Sequence, residues 1–125
     1  MTRKESEPND QALRPRTGGL LVINLADETA KYRRSIASND RQAVSLVKDG
    51  PLNVLLMTFR KGAELGEHRT RGPITVHVLS GAIRVHAESQ QITLGPGCML
   101  ALDRDVAHSV TALEDSSVLL TTAIA

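Results

Sequence analysis

Four histidines and one cysteine are the residues of this chain best suited to chemistry: His68, His77, His86, His108 and Cys98. An imidazole titrates near neutrality, so it can hold a metal, pass a proton or anchor a polar ligand. Two of the four follow glycines at defined distances: Gly62, five residues, then His68; and Gly97, ten residues, then His108. His77 alternates with Ile74, Val76 and Val78 in an apolar run and so faces the other way from them. His86 shares a face with Arg84 and reads as a solvated or interface residue. Cys98 begins a strand beside Met99, with no helix following to lower its pKa, and reads as a packed, inert thiol. As the one cysteine, it excludes an intrachain disulfide and a cysteine-based zinc knuckle.

The elements that must position these side chains are short and mostly extended. With 125 residues the chain is one domain. Residues 1–19 read as a flexible tail, charged and nearly free of apolar side chains, with no signal-peptide pattern. The single domain is expected over 20–125. Residues 20–23 could form a strand, and a short helix follows from Asp27 to about Ala37, acidic at its start and basic toward its end. Strands are expected over 43–47, 52–60, 74–80, 82–87, 91–94, 98–102, 108–112 and 118–123, with Gly81 and Gly95-Pro96-Gly97 as turns and 103–107 as a loop. Short strands at this spacing, with β-branched residues in them, indicate an antiparallel sandwich or barrel.

Composition removes several classes of function. A net charge of +1 gives no electrostatic case for nucleic acid or a membrane surface. Tyr32 and Phe59 are the whole aromatic set, which argues against base-stacking and carbohydrate-stacking platforms. No apolar run is long enough to span a bilayer, and a cytoplasmic location is expected.

The stretch Gly62-Ala63-Glu64-Leu65-Gly66-Glu67-His68-Arg69-Thr70, followed by Val76-His77-Val78-Leu79-Ser80-Gly81, resembles the first motif of the cupin superfamily. Gly95-Pro96-Gly97, followed by Asp103-Arg104-Asp105-Val106-Ala107-His108-Ser109-Val110, resembles the second. The resemblance covers roughly residues 43–123 and implies an all-β double-stranded β-helix, the jelly-roll barrel, with one short N-terminal helix. Metal-binding members similar to this chain hold one ion with three histidines and a glutamate. Here His68 and His108 stand at two of those positions, Thr70 replaces the other histidine and Ile74 the glutamate. A catalytic zinc wants three protein ligands and a non-haem iron two histidines plus a carboxylate, which Asp103 or Asp105 would have to supply. The metal motif is thus degenerate. The cofactor is unknown, and the ligand count favours no metal over a divalent transition metal at His68 and His108. If residue 74 faces the interior, as that glutamate does in the family, His77 points outward.

The resemblance implies a pocket lined by His68, Thr70, Ile74, Val76, Val78, Met99, Ala101 and His108. Arg69, Arg71 and Arg104, interleaved with acidic residues, form a mixed rim rather than an anion clamp. The expected function is a small-molecule-binding or sensing domain of unknown ligand, with no catalytic residue assigned. The alternatives are a metal-dependent oxygenase or a metal-free isomerase using His68 and His108, and a structural or partner-binding scaffold. A homodimer is expected, because members of the family commonly pair their barrels and residues 52–59 are apolar on both faces.

Overall fold

Asn24 sets the start of the helix. In the computed structural model, which describes residues 19–36 and 40–124, its Oδ1 accepts the Asp27 N–H at 3.0 Å, and α1 (Leu25–Ser35) begins immediately after it. Asp27 and Glu28 occupy the first turn and Arg33 and Arg34 the last, each favourable to the helix dipole. The helix therefore begins and ends two residues earlier than the charge pattern alone suggests. The strand expected at 20–23 is not formed: these residues lead into α1 without pairing, and Leu20 and Val22 are 84% and 81% exposed. Residues 1–18, nearly all of the expected tail, lie outside the described residues.

Nine strands follow among the described residues: β1 (Arg41–Asp49), β2 (Leu52–Phe59), β3 (Glu64–His68), β4 (Ile74–Ser80), β5 (Ile83–Ala87), β6 (Gln90–Leu94), β7 (Met99–Leu102), β8 (His108–Ala112) and β9 (Ser116–Ala123). They form two antiparallel sheets, a large one in the order β1-β2-β9-β4-β7 and a small one in the order β3-β8-β5-β6. Consecutive strands repeatedly sit in opposite sheets, which is the double-stranded β-helix. Strict alternation builds the core between the sheets. Ile74, Val76 and Val78 of β4, Met57 and Phe59 of β2 and Val118 of β9 meet Ile83 and Val85 of β5, Leu94 of β6 and Val110 of β8. The strand not foreseen is β3, whose sequence ELGEH has too few apolar residues to show a period.

A second cluster lies on the outer face of the large sheet, where Tyr32 of α1 packs on Val44, Leu46 and Leu56. This accounts for much of the two-sided apolarity of β2, because α1 covers one side within the same chain. Arg60 fastens the end of α1. Its Nη2 donates to the carbonyls of Arg33 and Ile36 at 3.3 and 3.0 Å, and its Nη1 to Asp115 Oδ2 at 3.2 Å. The Asp115 carboxyl is held below the usual range, chiefly by the Lys61 backbone N–H and then by Arg60. Gly81 is required where it stands: its φ is +87°, and a Cβ there would strike the Asp115 carbonyl and Ser116.

Candidate functional site

The two histidines that follow glycines in the sequence are neighbours in space. In the register of the small sheet His68 of β3 stands directly opposite His108 of β8, with ring centroids 4.1 Å apart and planes inclined at 59°. A β-bulge makes this possible. Between the pairs Leu65↔Val110 and His68↔His108, β3 has two residues, Gly66 and Glu67, against one on β8, Ser109. Leu65 and His68 are an odd number apart, so a regular strand would place them on opposite faces. The extra residue puts both on the inner face, Leu65 against the core cluster and His68 beside His108.

Each ring is held by the same local device. His68 Nδ1 lies 2.9 Å from the Gly66 carbonyl, and His108 Nδ1 lies 2.9 Å from the Val106 carbonyl. A carbonyl can only accept, so each Nδ1 carries the proton and donates it two residues back along the chain. Among the described residues neither Nε2 has a hydrogen-bond partner. His108 is 3% exposed, and its pKa is lowered by burial, with the nearby His68 adding to the effect and the Val106 bond opposing it. It is therefore neutral at physiological pH and presents Nε2 as a lone pair. Ala87 flanks it on β5 with only a methyl group.

The loops at this end of the barrel are tied together. The Asp105 N–H donates to the Thr70 carbonyl at 2.8 Å, and Arg69 Nη1 to the Asp105 carbonyl at 2.7 Å. Asp105 takes a φ of +62°, a left-handed conformation that aspartate tolerates and glycine usually fills. Both carboxylates proposed as a third ligand are exposed, and Asp103 Oδ1 accepts the Arg104 N–H instead. The Thr70 hydroxyl donates to the Gly72 carbonyl rather than to either imidazole. Among the described residues no group of three or more His, Cys, Asp or Glu side chains is arranged to hold a metal ion. Two imidazoles with a hydroxyl otherwise engaged and an isoleucine do not make the donor set of a catalytic zinc or a non-haem iron.

The structure places the other expected lining residues as follows. Ile74, Val76 and Val78 are buried and face the core, and Thr70 is half-buried in the loop after His68. Met99 and Ala101 do not line the interior: both are exposed, and the register sets them beside His77 and Thr75 on the outer face. The interior positions of β7 belong to Leu100 and Leu102, which pack against the core. All four residues of β7 are apolar, so hydropathy carries no phase. His77 faces outward between Met99 and Leu119, and His86 is exposed. Cys98 corrects the expectation of a packed thiol, for it is exposed at the turn before β7. Leu65, Ala87, Leu100 and Leu102 are interior residues that the sequence reading missed.

Residues 55–124, more than half of the chain, match the family model described as the cupin domain. No curated protein sequence matches. Among solved structures, a conserved protein of unknown function from Streptococcus pyogenes is similar with a TM-score of 0.73 and 20% identity, covering 94% of this chain and 98% of that one. KdgF from a Halomonas species is similar with a TM-score of 0.59 and 23% identity, over 65% of this chain and 76% of that one. Salicylate 1,2-dioxygenase from Pseudoaminobacter salicylatoxidans has a TM-score of 0.66 and 17% identity, over 78% of this chain and 31% of that one. At these identities the likeness is one of fold. No helix among the described residues is long and apolar enough to cross a membrane.

Proposed function

This chain belongs to the cupin family, and on that premise we propose that it binds a small organic molecule at the barrel end where His68 and His108 stand. The observation that carries the reading is the paired presentation of Nε2: two imidazoles, each fixed through Nδ1, side by side on the inner face. Such a pair offers two ring nitrogens for hydrogen bonding, with His108 Nε2 as an acceptor, beside an aliphatic interior, the usual character of a small-molecule site. The ligand that suits it carries donor groups, hydroxyl or amino, on an otherwise apolar body. The neutral state of His108 gives a second reading some support, in which that Nε2 acts as a general base in metal-free proton transfer such as an isomerisation. Among the described residues no third His, Cys, Asp or Glu side chain is arranged with the pair to hold a metal ion. A homodimer and a cytoplasmic location belong to the same proposal; Met99, 62% exposed on the outer face of β7, is a contact available to a second copy.

The test is a thermal-shift and calorimetric screen of small hydroxylated and amino compounds against the native chain, His68→Ala and His108→Ala, with elemental analysis of each preparation. A binder of the native chain lost in both variants supports the proposal, and turnover of it would favour the second reading. Binders that ignore both substitutions, or none at all, would refute it. Stoichiometric metal abolished by both substitutions would replace it with a metal site completed by a ligand not identified above.

A further inference from the structure

Four buried polar side-chain atoms have no hydrogen-bond partner among the described residues: Gln42 Oε1, Thr58 Oγ1, Arg60 Nε and Ser117 Oγ. The strand register shows that they share one place, far from the histidine pair in the topology. Gln42 stands opposite Thr58 across β1 and β2, and Thr58 stands opposite Ser117 across β2 and β9. The three form a row on one face, neighbouring Cβ atoms roughly 5 Å apart. Arg60 follows Thr58 by two residues and points to the same side. That side is the outer face, because Leu56 belongs to the cluster beneath Tyr32 while Met57, Phe59 and Val118 belong to the interior. The patch therefore lies where Arg60 holds the last turn of α1.

Thr58 and Ser117 are only 2% and 0% exposed. A buried polar atom left unpaired forfeits the hydrogen bond it made to water in the unfolded chain, and folded proteins seldom leave four such atoms together. Charge decides what pairs them. The Arg60 guanidinium already faces the Asp115 carboxylate and two carbonyls at the negative end of the α1 dipole, so no surplus positive charge remains for an anion. The same guanidinium repels a cation. The patch combines one fixed donor (Arg60 Nε–H), one acceptor (Gln42 Oε1) and two hydroxyls that do both. A neutral molecule that donates and accepts, and fits beneath a helix, matches it. Gln42 and Ser117 flank Thr58, so the row spans roughly 10 Å, more than one water can bridge.

We infer that the last turn of α1 and the large sheet enclose two ordered waters that share the Thr58 hydroxyl and complete the hydrogen bonds of Gln42, Arg60 and Ser117. The joint between helix and barrel is then apolar at Tyr32 and wet at Thr58.

A high-resolution crystal structure of the native chain, with melting curves for Thr58→Val and Ser117→Ala, tests this. Expected are solvent peaks within hydrogen-bonding distance of Thr58 Oγ1 and their loss in the near-isosteric Thr58→Val variant. Each substitution should lower Tm by roughly 4 °C or more, since the atoms left behind lose their bridge. The inference is overturned if the native chain shows no such peak, if the hydroxyls bond each other directly, or if the site holds an ion. It is equally overturned if both substitutions leave Tm unchanged or raise it, the result expected of a dry row relieved of unpaired hydroxyls.

Discussion

Replacing His108 with leucine should stabilise the barrel while abolishing the ligand binding proposed for the histidine pair. The imidazole is 3% exposed, so a leucine there is fully buried, worth about 1.5–3 kcal/mol relative to solvent exposure. The imidazole recovers less from the same burial, because its ring nitrogens lose water. Against this stands the Nδ1–H bond to the Val106 carbonyl, 2.9 Å long and worth about 1 kcal/mol net. Val106 is half-buried at the end of its loop, so water can take over that carbonyl. The balance is a gain of roughly 1 kcal/mol, or about 4 °C in Tm for a chain of this size. The pH dependence should change with it. The folded pKa of His108 is lowered below its ordinary 6.5 by burial first and by His68. Between the two values the unfolded chain binds more protons, so the native barrel loses stability as pH falls below 6.5 and the contribution is flat above it. The leucine variant should lack that slope. Urea melts of both proteins across this range are the assay. A loss of more than about 2 kcal/mol in His108→Leu would mark the imidazole as structural and undo the reading of the pair as a ligand anchor.

Four further outcomes follow from the geometry. Gly81→Ala combines a φ of +87° with a methyl driven onto the Asp115 carbonyl and Ser116, and should cost roughly 2 kcal/mol or more in denaturant melts. Arg60→Met frees the last carbonyls of α1, and hydrogen exchange should show protection of the helix amides falling about tenfold, or 1.4 kcal/mol. The Asp115 carboxyl has a lowered pKa, so its contribution is present above the ordinary carboxylate value and lost as pH falls through the lowered one; Asp115→Asn should remove that acid limb from a plot of denaturation midpoint against pH. Light scattering should give a dimer, and Met99→Glu should return it to a monomer if the outer face of β7 makes the contact.

How far the sequence could be read depended on how much pattern each element carries. Strands with alternation, such as Ile83–Ala87 with its buried and exposed residues in strict turn, were legible with their inner face. The histidine positions were legible because glycine spacing survives where hydropathy does not. Three features were not. The phase of β7 is hidden because MLAL has no polar residue to mark a face. The bulge in β3 is a register event between two strands, and a single strand's sequence does not record it. Residues 20–23 have the hydropathy of a strand, but a strand needs a neighbour to pair with, and the Asn24 cap draws them toward α1 instead.

Tyr32 gives the molecule a built-in reporter. The chain has no tryptophan and one tyrosine, and that ring sits at the seam between α1 and the large sheet, against Val44, Leu46 and Leu56. Near-ultraviolet emission therefore comes from one address, and it senses whether the helix is seated, while far-ultraviolet dichroism senses the strands. The two signals need not move together. If they trace one transition, seam and barrel melt as a single cooperative unit; if the emission changes first, α1 lifts from an intact barrel, and the optics alone separate the two events without any added label.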